Sequence, residues 1–572
     1  MPHLLQHRHH ALALSVLAAA SLAACGGGND HVVSLPQLKA ATSASLAACT
    51  DLAGKFAYPN VTIAAANAVS AGTLTVAGKP VPAHCQVTGK LLQRTSTVDG
   101  RSYAIGFEMR LPNAWNGRFF YQANGGTDGS VLTATGLVGG GGPLDNALNQ
   151  GFAVISSDAG HAGQTPNFGI DPQARLDYGY QAVGKLTPMA KSLIQVAYGK
   201  GPDRSYIGGC SNGGRHTMVA AARYADQYDG YLVGDPGYRL PLAAIANLAG
   251  GRTYAALAST PGDLSTGFTL AERALVSKAV LEKCDALDGA KDGLVQNVSA
   301  CQTAFNLERD VPSCSGARDG SCLSAAQKTS IAKLFAGATT ESGAKIYTSF
   351  PYDAGLATSG WASWKFTSPA QRDAGAVAMI WKVPPVDPAS FDANSFMLTA
   401  NLDSLVAQVN STNATYAESA MSFMVPPNVT SLDTLRNRGA KMLVYHGTSD
   451  PIFSSDDTKS WYDGLRAANG GDAGDFAKYY QVPGMNHCSG GPATDQFDML
   501  TPLVNWVEKG QAPDSIQATA RGEGNAGGVN ADVPPTWSPG RTRPLCAYPQ
   551  IAVYKGSGSV EDAASFTCQS PS

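Results

Sequence analysis

Charged side chains are scarce in this sequence. Of its 572 residues 15% are charged, with 41 Lys and Arg against 44 Asp and Glu, and the net charge is -3. Average soluble proteins carry about 25% charged residues, and a protein that binds nucleic acid by neutralising phosphates needs a basic patch. The composition therefore excludes nucleic acid as a partner held in this way.

Long apolar runs are also missing, since no segment reaches the ~20 apolar residues of a membrane span. A shorter apolar run at 11–24 follows a mildly basic head and ends in small residues before Cys25. Residues 1–24 are therefore predicted to be a signal peptide. The residues before Cys25 resemble a bacterial lipobox, in which Cys25 would carry lipid, and Gly26 after it favours an outer-membrane lipoprotein. The alternative is plain secretory cleavage near Ala24, which gives a periplasmic or secreted protein.

The 11 cysteines include no Cys-x-x-Cys pair and no Cys/His cluster with zinc spacing. Apart from Cys25 their number is even, which indicates disulfides in an exported protein. They allow too many pairings for the sequence to decide, but spacing favours four local loops: Cys49 with Cys85, Cys284 with Cys301, Cys314 with Cys322, and Cys546 with Cys568. Cys210 and Cys488 would then form a long-range pair.

Strand-like apolar runs alternate with helical patterns in two parts of the chain. The strands are predicted at 103–109, 118–124, 152–158, 205–209, 231–234, 441–445 and 478–482, and the helices at 178–198, 215–228 and 497–509. This alternation predicts an α/β fold with a mostly parallel sheet covered on both faces.

Residues 240–432 lack this alternation and contain short helices, cysteine loops and tryptophans. We interpret them as an inserted lid domain. The catalytic domain would then consist of residues 46–239 and 433–572, after a tether at 25–45.

A Gly-x-Ser-x-Gly motif centred on Ser211 follows the strand predicted at 205–209 and precedes a helix. Glycines allow the sharp turn that a nucleophilic serine occupies at this place, where larger side chains would collide with the neighbouring strand and helix. Ser211 is therefore the candidate nucleophile, and the backbone N–H of Asn212 is a candidate oxyanion donor. A second donor is expected from a loop after an early strand, where Gly126 fits best; the alternative is an ordinary glycine-rich turn.

A serine needs a base, and the base needs an orienting carboxylate, in the chain order Ser, then Asp or Glu, then His. Asp450 lies just beyond the strand predicted at 441–445, at the strand end where such sheets bind ligands. His487 follows the next predicted strand. Each alone could be an ordinary loop residue, but with Ser211 they predict a catalytic triad. The alternative carboxylates are Asp456 and Asp457.

This triad has a consequence for two cysteines, because Cys210 precedes Ser211 and Cys488 follows His487. If the serine and the histidine are within hydrogen-bonding reach, their neighbours come close to the Cα separation of about 5.5 Å that a disulfide prefers. A Cys210–Cys488 disulfide is therefore predicted.

Asp285, Asp288 and Asp292 lie close together in a glycine-containing loop. Oxygen ligands on flexible turns suit calcium, and the carbonyls of Ala290 and Leu294 could complete its coordination. The spacing differs from the EF-hand pattern, and a solvated acidic turn is the alternative. A bound calcium ion would be structural, because no triad residue lies in this segment.

Together these motifs resemble the tannase and feruloyl esterase family of α/β-hydrolases. The resemblance rests on Gly-Cys-Ser-Asn-Gly-Gly around Ser211, the cysteines beside serine and histidine, the three-aspartate loop, and Gly-Met-Asn-His-Cys around His487. It extends from about Cys49 to the C-terminus. It implies an α/β-hydrolase fold with a large inserted lid, the five disulfides named above, a calcium site, and hydrolysis of esters of aromatic carboxylic acids.

Within this family, segment 360–372 is similar to the aromatic and carboxylate-binding stretch of enzymes that cleave terephthalate monoesters. The similarity implies that Trp364 stacks on the substrate ring and that Arg372 pairs with a free substrate carboxylate through a bidentate fork. Without it, a tryptophan of the lid core and a surface arginine would be the ordinary interpretation.

Two positions depart from that pattern. Ala376 stands where those enzymes have a substrate-contacting phenylalanine, and Gly125 stands where they have serine, so the aromatic clamp is reduced and the pocket is expected to be wider. Leu240 and His446 match positions near that site and are expected to line it.

The protein is expected to be an exported serine esterase that acts through an acyl-enzyme on a small aromatic ester. It is expected to associate with the membrane only through a lipid anchor. The resemblance favours a terephthalate monoester of ethylene glycol. One alternative is a feruloyl esterase or tannase acting on plant phenolic esters, which would not require Arg372. Another is a non-catalytic lipoprotein that binds aromatic ligands, which would need no triad.

Overall fold

The computed structural model describes residues 35–138 and 146–571. The predicted signal peptide, the lipidation site Cys25 and the first part of the predicted tether lie outside these residues. Residues 35–45 are bonded to the folded unit: the Gln37 side chain donates to the carbonyl of Val507 at 2.8 Å, and the Ala41 N–H donates to Glu508 at 2.9 Å. The tether boundary predicted at residue 45 is therefore too late in the chain.

A nine-stranded sheet lies at the centre of this unit. Its strands in chain order are β1 (Val61–Val69), β2 (His84–Thr95), β3 (Ser102–Pro112), β4 (Arg118–Gln122), β5 (Ala153–Ser157), β6 (Arg204–Cys210), β7 (Gly230–Gly234), β8 (Lys441–Gly447) and β9 (Ala477–Val482). The order across the sheet is β9-β8-β7-β6-β4-β5-β3-β2-β1. Pairs from β4 to β9 are parallel, and those of β1 with β2, β2 with β3 and β3 with β5 are antiparallel. The predicted α/β-hydrolase fold is confirmed.

Alternate residues of the central strands pack into different hydrophobic clusters. Ile207, Val233 and Val444 belong to a cluster with helix Ala182–Tyr198. Their neighbours Tyr206, Leu232 and Leu443 belong to a cluster with helix Leu500–Lys509. Because successive side chains of a strand point to opposite faces, helices cover both faces of the sheet. This explains why β6 to β8 are continuous apolar runs.

The other elements of the sheet-bearing part are short. Its remaining helices are Leu52–Lys55, Pro172–Leu176, Asn212–Arg223 and Ser455–Ala468. Its remaining strands form two-stranded pairs, Ala44–Ser45 with Ala114–Trp115, Thr75–Val76 with Lys79–Pro80, Ser515–Thr519 with Thr542–Cys546, and Ile551–Tyr554 with Phe566–Gln569. The helix predicted at 215–228 begins and ends earlier, because it starts directly after Ser211.

Between β7 and β8 the chain is mainly helical, and this stretch includes residues 240–432, which were predicted to be a lid. Its α-helices are Leu240–Leu257, Leu270–Cys284, Val298–Ala304, Leu307–Asp310, Ala325–Phe335, Ser359–Ala362, Ala393–Thr399, Leu402–Val409, Ala420–Met424 and Asp433–Asn437. It shares a hydrophobic cluster with Phe168 and Tyr178 before it and with Ile452 and Phe453 after it. Within the described ranges, every helix is too short or too polar to cross a membrane.

Disulfides join the cysteines in the pairs that the sequence analysis favours. They are Cys49–Cys85, Cys210–Cys488, Cys284–Cys301, Cys314–Cys322 and Cys546–Cys568. Such a set fits an exported protein, since the cytosol keeps thiols reduced.

Candidate active site

Ser211 lies in a sharp turn between β6 and helix Asn212–Arg223. Its φ of 67° and ψ of -127° fall outside the regions that L-residues usually adopt. A Cβ atom at Gly209 or at Gly213 would lie 2.2 Å from the carbonyl oxygen of Ala123. Only glycine fits on either side of the serine, which is why the sequence has Gly-x-Ser-x-Gly here.

Ser211, His487 and Asp450 form a continuous hydrogen-bonded series. The Ser211 hydroxyl lies 2.8 Å from His487 Nε2, and His487 Nδ1 lies 2.7 Å from an oxygen of Asp450. Because a carboxylate only accepts, Nδ1 carries the proton and Nε2 is free to accept from the serine. This arrangement can activate a serine hydroxyl as a nucleophile.

Asp450 and His487 lie on loops that follow neighbouring parallel strands, β8 and β9. The Ser449 N–H donates to the carbonyl of Met485 at 3.0 Å, and the Asn486 side-chain amide donates to the carbonyl of Ser449 at 3.2 Å. The backbones of the two loops are therefore tied together directly beside the histidine and the carboxylate.

The Asp450 carboxylate is fully bonded. One oxygen accepts the N–H groups of Ile452 at 2.9 Å and Phe453 at 3.0 Å, and the other lies 3.2 Å from His446 Nε2 besides its contact with His487. Burial alone would raise the pKa of Asp450, but the charge and hydrogen bond of His487 and those of His446 outweigh it and hold that pKa below its usual range. Asp450 therefore stays ionised and can stabilise a protonated His487.

His446 is placed differently from the expectation that it lines the substrate site. Its side chain has no exposed surface and lies behind Asp450, with Nδ1 at 2.8 Å from the Thr458 hydroxyl and Nε2 also at 2.9 Å from the carbonyl of Phe453. Burial lowers the pKa of His446, but the charges of Asp235 and Asp450 outweigh it and raise that pKa. His446 therefore supports the carboxylate of Asp450. Its side chain is buried because it is the last but one residue of a strand whose residues are all buried.

The disulfide between Cys210 and Cys488 joins the serine turn to the histidine loop, with a Cα separation of 6.0 Å. It covalently links residues that are 278 positions apart in the chain. The two residues that share a hydrogen bond, Ser211 and His487, are the direct neighbours of its cysteines.

Gly126 and Asn212 lie close to the nucleophile in the chain or in space: Asn212 follows Ser211, and Gly126 follows Gly125, which lies against Ser211. Gly126 is an exposed residue with a φ of 65°, and within the described chain its N–H donates to no other group. Asn212 is the first residue of its helix, so its N–H has no partner inside the helix. Gly125 lies against the nucleophile, since a Cβ there would be 3.6 Å from the Cβ of Ser211.

Trp364 and Arg372 lie in a row that begins at the histidine. The Trp364 ring meets the His487 ring edge to face, with centroids 5.1 Å apart, and the Arg372 guanidinium lies 4.7 Å from the centre of the Trp364 ring. Arg372 is exposed and forms no ion pair with any described residue. The Arg372 guanidinium is thus separated from His487 by the Trp364 ring.

Leu240 and Ala376 are packed inside the inserted segment. Both are buried, 8% and 4% exposed, in the hydrophobic cluster that the segment forms with Tyr178. The expectation that Leu240 lines the substrate site, and that Ala376 leaves it wider, stays a prediction.

The alternative carboxylates do not reach the histidine. Asp456 accepts from the Ser349 hydroxyl at 2.6 Å, and Asp457 pairs with Arg239.

The three aspartates of the predicted calcium loop differ in their partners. Asp285 accepts backbone N–H groups of Asp292 and Gly293, and Asp292 pairs with Arg543. Asp288 is buried, and its second oxygen has no hydrogen-bond partner. Burial, and then the charges of Asp292 and Asp285, raise the pKa of Asp288 to about 7 against the opposing N–H of Ala290. An orphaned buried carboxylate oxygen beside two further acids fits a cation with oxygen ligands.

Two residues of the site escaped the sequence analysis. Phe453 packs its ring edge on to His487, with centroids 5.2 Å apart, and no sequence pattern distinguishes it. Asp235 follows β7 and accepts the Gly447 N–H at 2.7 Å; burial raises its pKa to about 6, while the charge of His446 lowers it. The rule that functional groups lie beyond parallel strand ends could have found Asp235, because β7 lies between the strands of Ser211 and Asp450.

Comparison with known proteins agrees with the family that the sequence motifs resemble. The family model for tannase and feruloyl esterase matches residues 85–569. Mono(2-hydroxyethyl) terephthalate hydrolase of Piscinibacter sakaiensis is 40% identical over 92% of each chain. Feruloyl esterase B of Aspergillus niger is 28% identical over 92% of this chain and 97% of its own. The crystal structure of feruloyl esterase B from Aspergillus oryzae shares the fold, with a TM-score of 0.70 and 22% identity over 91% of this chain and 99% of that chain.

Proposed function

Because the chain belongs to the tannase and feruloyl esterase family and is therefore a carboxylic ester hydrolase, we propose that it works as a serine esterase through Ser211, His487 and Asp450. The observation that carries this proposal is the unbroken series of hydrogen bonds from the Ser211 hydroxyl through both nitrogens of His487 to Asp450.

The geometry supports a two-step reaction. The Ser211 oxygen attacks the ester carbonyl while its proton passes to His487 Nε2, and Asp450 stabilises the resulting imidazolium. The N–H groups of Gly126 and Asn212 receive the negative charge of the carbonyl oxygen. His487 then returns the proton to the leaving alcohol, and a water molecule, deprotonated by the same histidine, hydrolyses the acyl-enzyme.

For the substrate, we propose an aromatic acid ester with a second, free carboxylate, as in mono(2-hydroxyethyl) terephthalate. Arg372 supports this choice, because it is an exposed cation that forms no salt bridge in the described chain and lies on the ring of Trp364, which itself touches His487. An acyl group bound beside Trp364 would direct its far carboxylate toward the guanidinium, which can bind it through two hydrogen bonds.

A phenolic ester is the second candidate. The similarity to feruloyl esterase B favours it, and so does Ala376, which is buried and offers no aromatic ring to clamp a terephthalate group. A feruloyl or galloyl group has no second carboxylate, so this candidate gives Arg372 no role in recognition.

The test compares four esters with the purified mature protein: mono(2-hydroxyethyl) terephthalate, methyl ferulate, methyl gallate and a benzoate ester without a carboxylate. We expect Arg372→Ala to lower kcat/KM for the terephthalate monoester by about 10- to 100-fold, the range of a lost hydrogen bond to a charged group. For the benzoate ester we expect little change. Arg372→Lys should restore only part of the loss, because lysine has no bidentate fork.

Arg309→Ala is the matched control, since Arg309 is another exposed arginine of the inserted segment, paired with Asp310. It should leave all four rates unchanged. A preference for the ferulate or gallate ester, with Arg372 indifferent, would establish the phenolic esterase instead.

We also propose that the loop of Asp285, Asp288 and Asp292 holds a calcium ion, with the carbonyls of Ala290 and Leu294 as further ligands. The buried Asp288 oxygen without a partner supports this. The ion would supply positive charge that keeps the three carboxylates ionised and the loop folded. It would take no part in the ester chemistry, because the triad residues come from other loops.

A further inference from the structure

The two candidate oxyanion donors come from separate parts of the chain. Gly126 lies on the loop after β4, and Asn212 starts the helix after β6. An oxyanion hole works only if both N–H groups point at one place before the reaction begins. Some interaction must therefore fix the loop relative to the helix.

A closed cycle of four side chains connects them. One Asp128 oxygen accepts the Asn212 amide N–H at 2.9 Å and lies 2.9 Å from His216 Nε2. Arg215 Nε donates to the Asn212 amide oxygen at 2.6 Å, and Arg215 Nη2 lies 3.2 Å from His216 Nδ1. Because arginine only donates and a carboxylate only accepts, His216 is neutral, with its proton on Nε2, and every bond has a donor and an acceptor.

The cycle is cut off from solvent. Asp128 is 4% exposed, Asn212 1%, Arg215 0% and His216 3%. Asp128 and Arg215 are bridged by the amide of Asn212 and by the imidazole of His216. Burial raises the pKa of Asp128 to about 7, while the charges of His161 and Arg215 and the hydrogen bond of Asn212 lower it. Breaking one bridge leaves buried polar groups without partners, which is costly.

Asp128 also closes the loop that carries Gly126. Its N–H donates to the carbonyl of Gly125 at 3.3 Å, and its φ of 54° lies in the left-handed region, which glycine such as Gly126 (φ 65°) adopts freely but other residues adopt rarely. A non-glycine residue in this region needs strong support from its surroundings. The bonds of the Asp128 carboxylate to the helix provide that support two residues away from the donor N–H.

We propose that Asp128 and the side chain of Asn212 are positioning residues, which hold the Gly126 and Asn212 N–H groups in place relative to each other as an oxyanion hole. The inference rests on the proposed esterase function. Asn212 then has two separate tasks, its backbone N–H as a donor and its amide as the link to the opposite loop. This explains the choice of asparagine after the nucleophile, where the oxyanion hole alone would accept any residue with a backbone N–H.

The experiment uses Asn212→Ala, which keeps the backbone N–H and removes the link, together with Asp128→Asn and the double variant. For each folded protein, kcat and KM are measured on the ester that the wild type cleaves best. Binding is measured for phenyl trifluoromethyl ketone, whose adduct with serine places an oxyanion in the hole, and for the ether analogue of the ester, which has no carbonyl oxygen to enter the hole.

We expect kcat of both single variants to fall by about 10- to 100-fold, as for a misplaced catalytic group, with KM nearly unchanged. Affinity for the ketone should fall in parallel with kcat/KM, and affinity for the ether analogue should not. The double variant should be little worse than the poorer single one, because both changes break the same link. A network that is only structural would lower stability without this selective loss.

Asp177→Asn is the matched control, a buried carboxyl group paired with Lys185 outside the loop. It should lower the melting temperature while kcat and ketone affinity of the folded protein stay the same. If folded Asn212→Ala kept wild-type kcat and ketone affinity, the inference would be overturned even where Asp128→Asn fails to fold. A wild-type protein that cleaves no ester and forms no ketone adduct would instead overturn the proposed function.

Discussion

The two halves of the candidate site are built in different ways. Ser211 and His487 lie at the ends of parallel strands, where close backbone contacts, full hydrogen bonding and a disulfide fix them. Trp364 and Arg372 lie on the wide-turn helical pieces Ser363–Thr367 and Pro369–Asp373 of the inserted segment, and Arg372 is exposed. The difference separates chemistry from recognition: changes in the first half should affect every ester, and changes in the second should depend on the acyl group.

The strongest test of this division is Ser211→Ala. Loss of the nucleophile should lower kcat by at least about 10⁴-fold on all esters alike, since a serine hydrolase without its nucleophile retains only a small residual rate. The structure should persist, because the change removes one oxygen atom and keeps the Cβ. Far-UV circular dichroism and the melting temperature check folding beside the rate. Turnover that survives on any one ester would show that another group performs the chemistry.

A smaller effect is expected from the disulfide that lies within the first half. Cys210→Ser with Cys488→Ser frees a link across 278 positions, and removal of a native disulfide commonly costs about 2–5 kcal/mol of unfolding free energy. Because these cysteines adjoin Ser211 and His487, kcat should fall for all esters as well. Urea unfolding and initial rates measure the two effects.

The matched control is Cys314→Ser with Cys322→Ser, a disulfide of the inserted segment that spans 8 positions. Its short loop restricts the unfolded chain less, so it should cost less stability, and it should leave kcat unchanged. Equal effects of the two pairs on kcat would contradict the division, since they would make the inserted segment part of the chemistry.

The same division explains what could be predicted from the sequence. Parallel strands with fully buried faces are continuous apolar runs. The sharp turn at the end of β6 leaves room only for glycine at Gly209 and Gly213, so this feature also appears directly in the sequence. The order of Ser211, Asp450 and His487 along the chain then follows from the order of the strands. The antiparallel strands β1 and β2 were missed because β1 is rich in alanine and has no fully buried residue, and β2 mixes buried with exposed residues.

Residues whose role depends on tertiary packing could not be placed in this way. His446 was expected beside the substrate, yet the strand turns its ring behind Asp450. Asp128 could not be singled out from the sequence, because only the folded chain brings it to Asn212. Within the inserted segment, Leu240 begins an α-helix and Ala376 begins a wide-turn helix, and both side chains pack in its hydrophobic cluster, so their place beside the substrate stays a prediction.

The smallest effect on chemistry is expected from the calcium loop, which lies in the inserted segment. A chelator should lower the melting temperature of the wild type, because ion binding to the folded state alone adds to its stability, and added calcium should restore it. Turnover per folded molecule should change less than about twofold, since no triad residue lies in the loop.

Asp288→Asn removes the ligand oxygen that has no other partner, so the melting temperature of this variant should no longer respond to chelator or calcium. An unchanged wild-type melting temperature would argue against the ion, whereas a large loss of turnover in a protein that stays folded would show that the inserted segment controls the chemistry as well as the recognition.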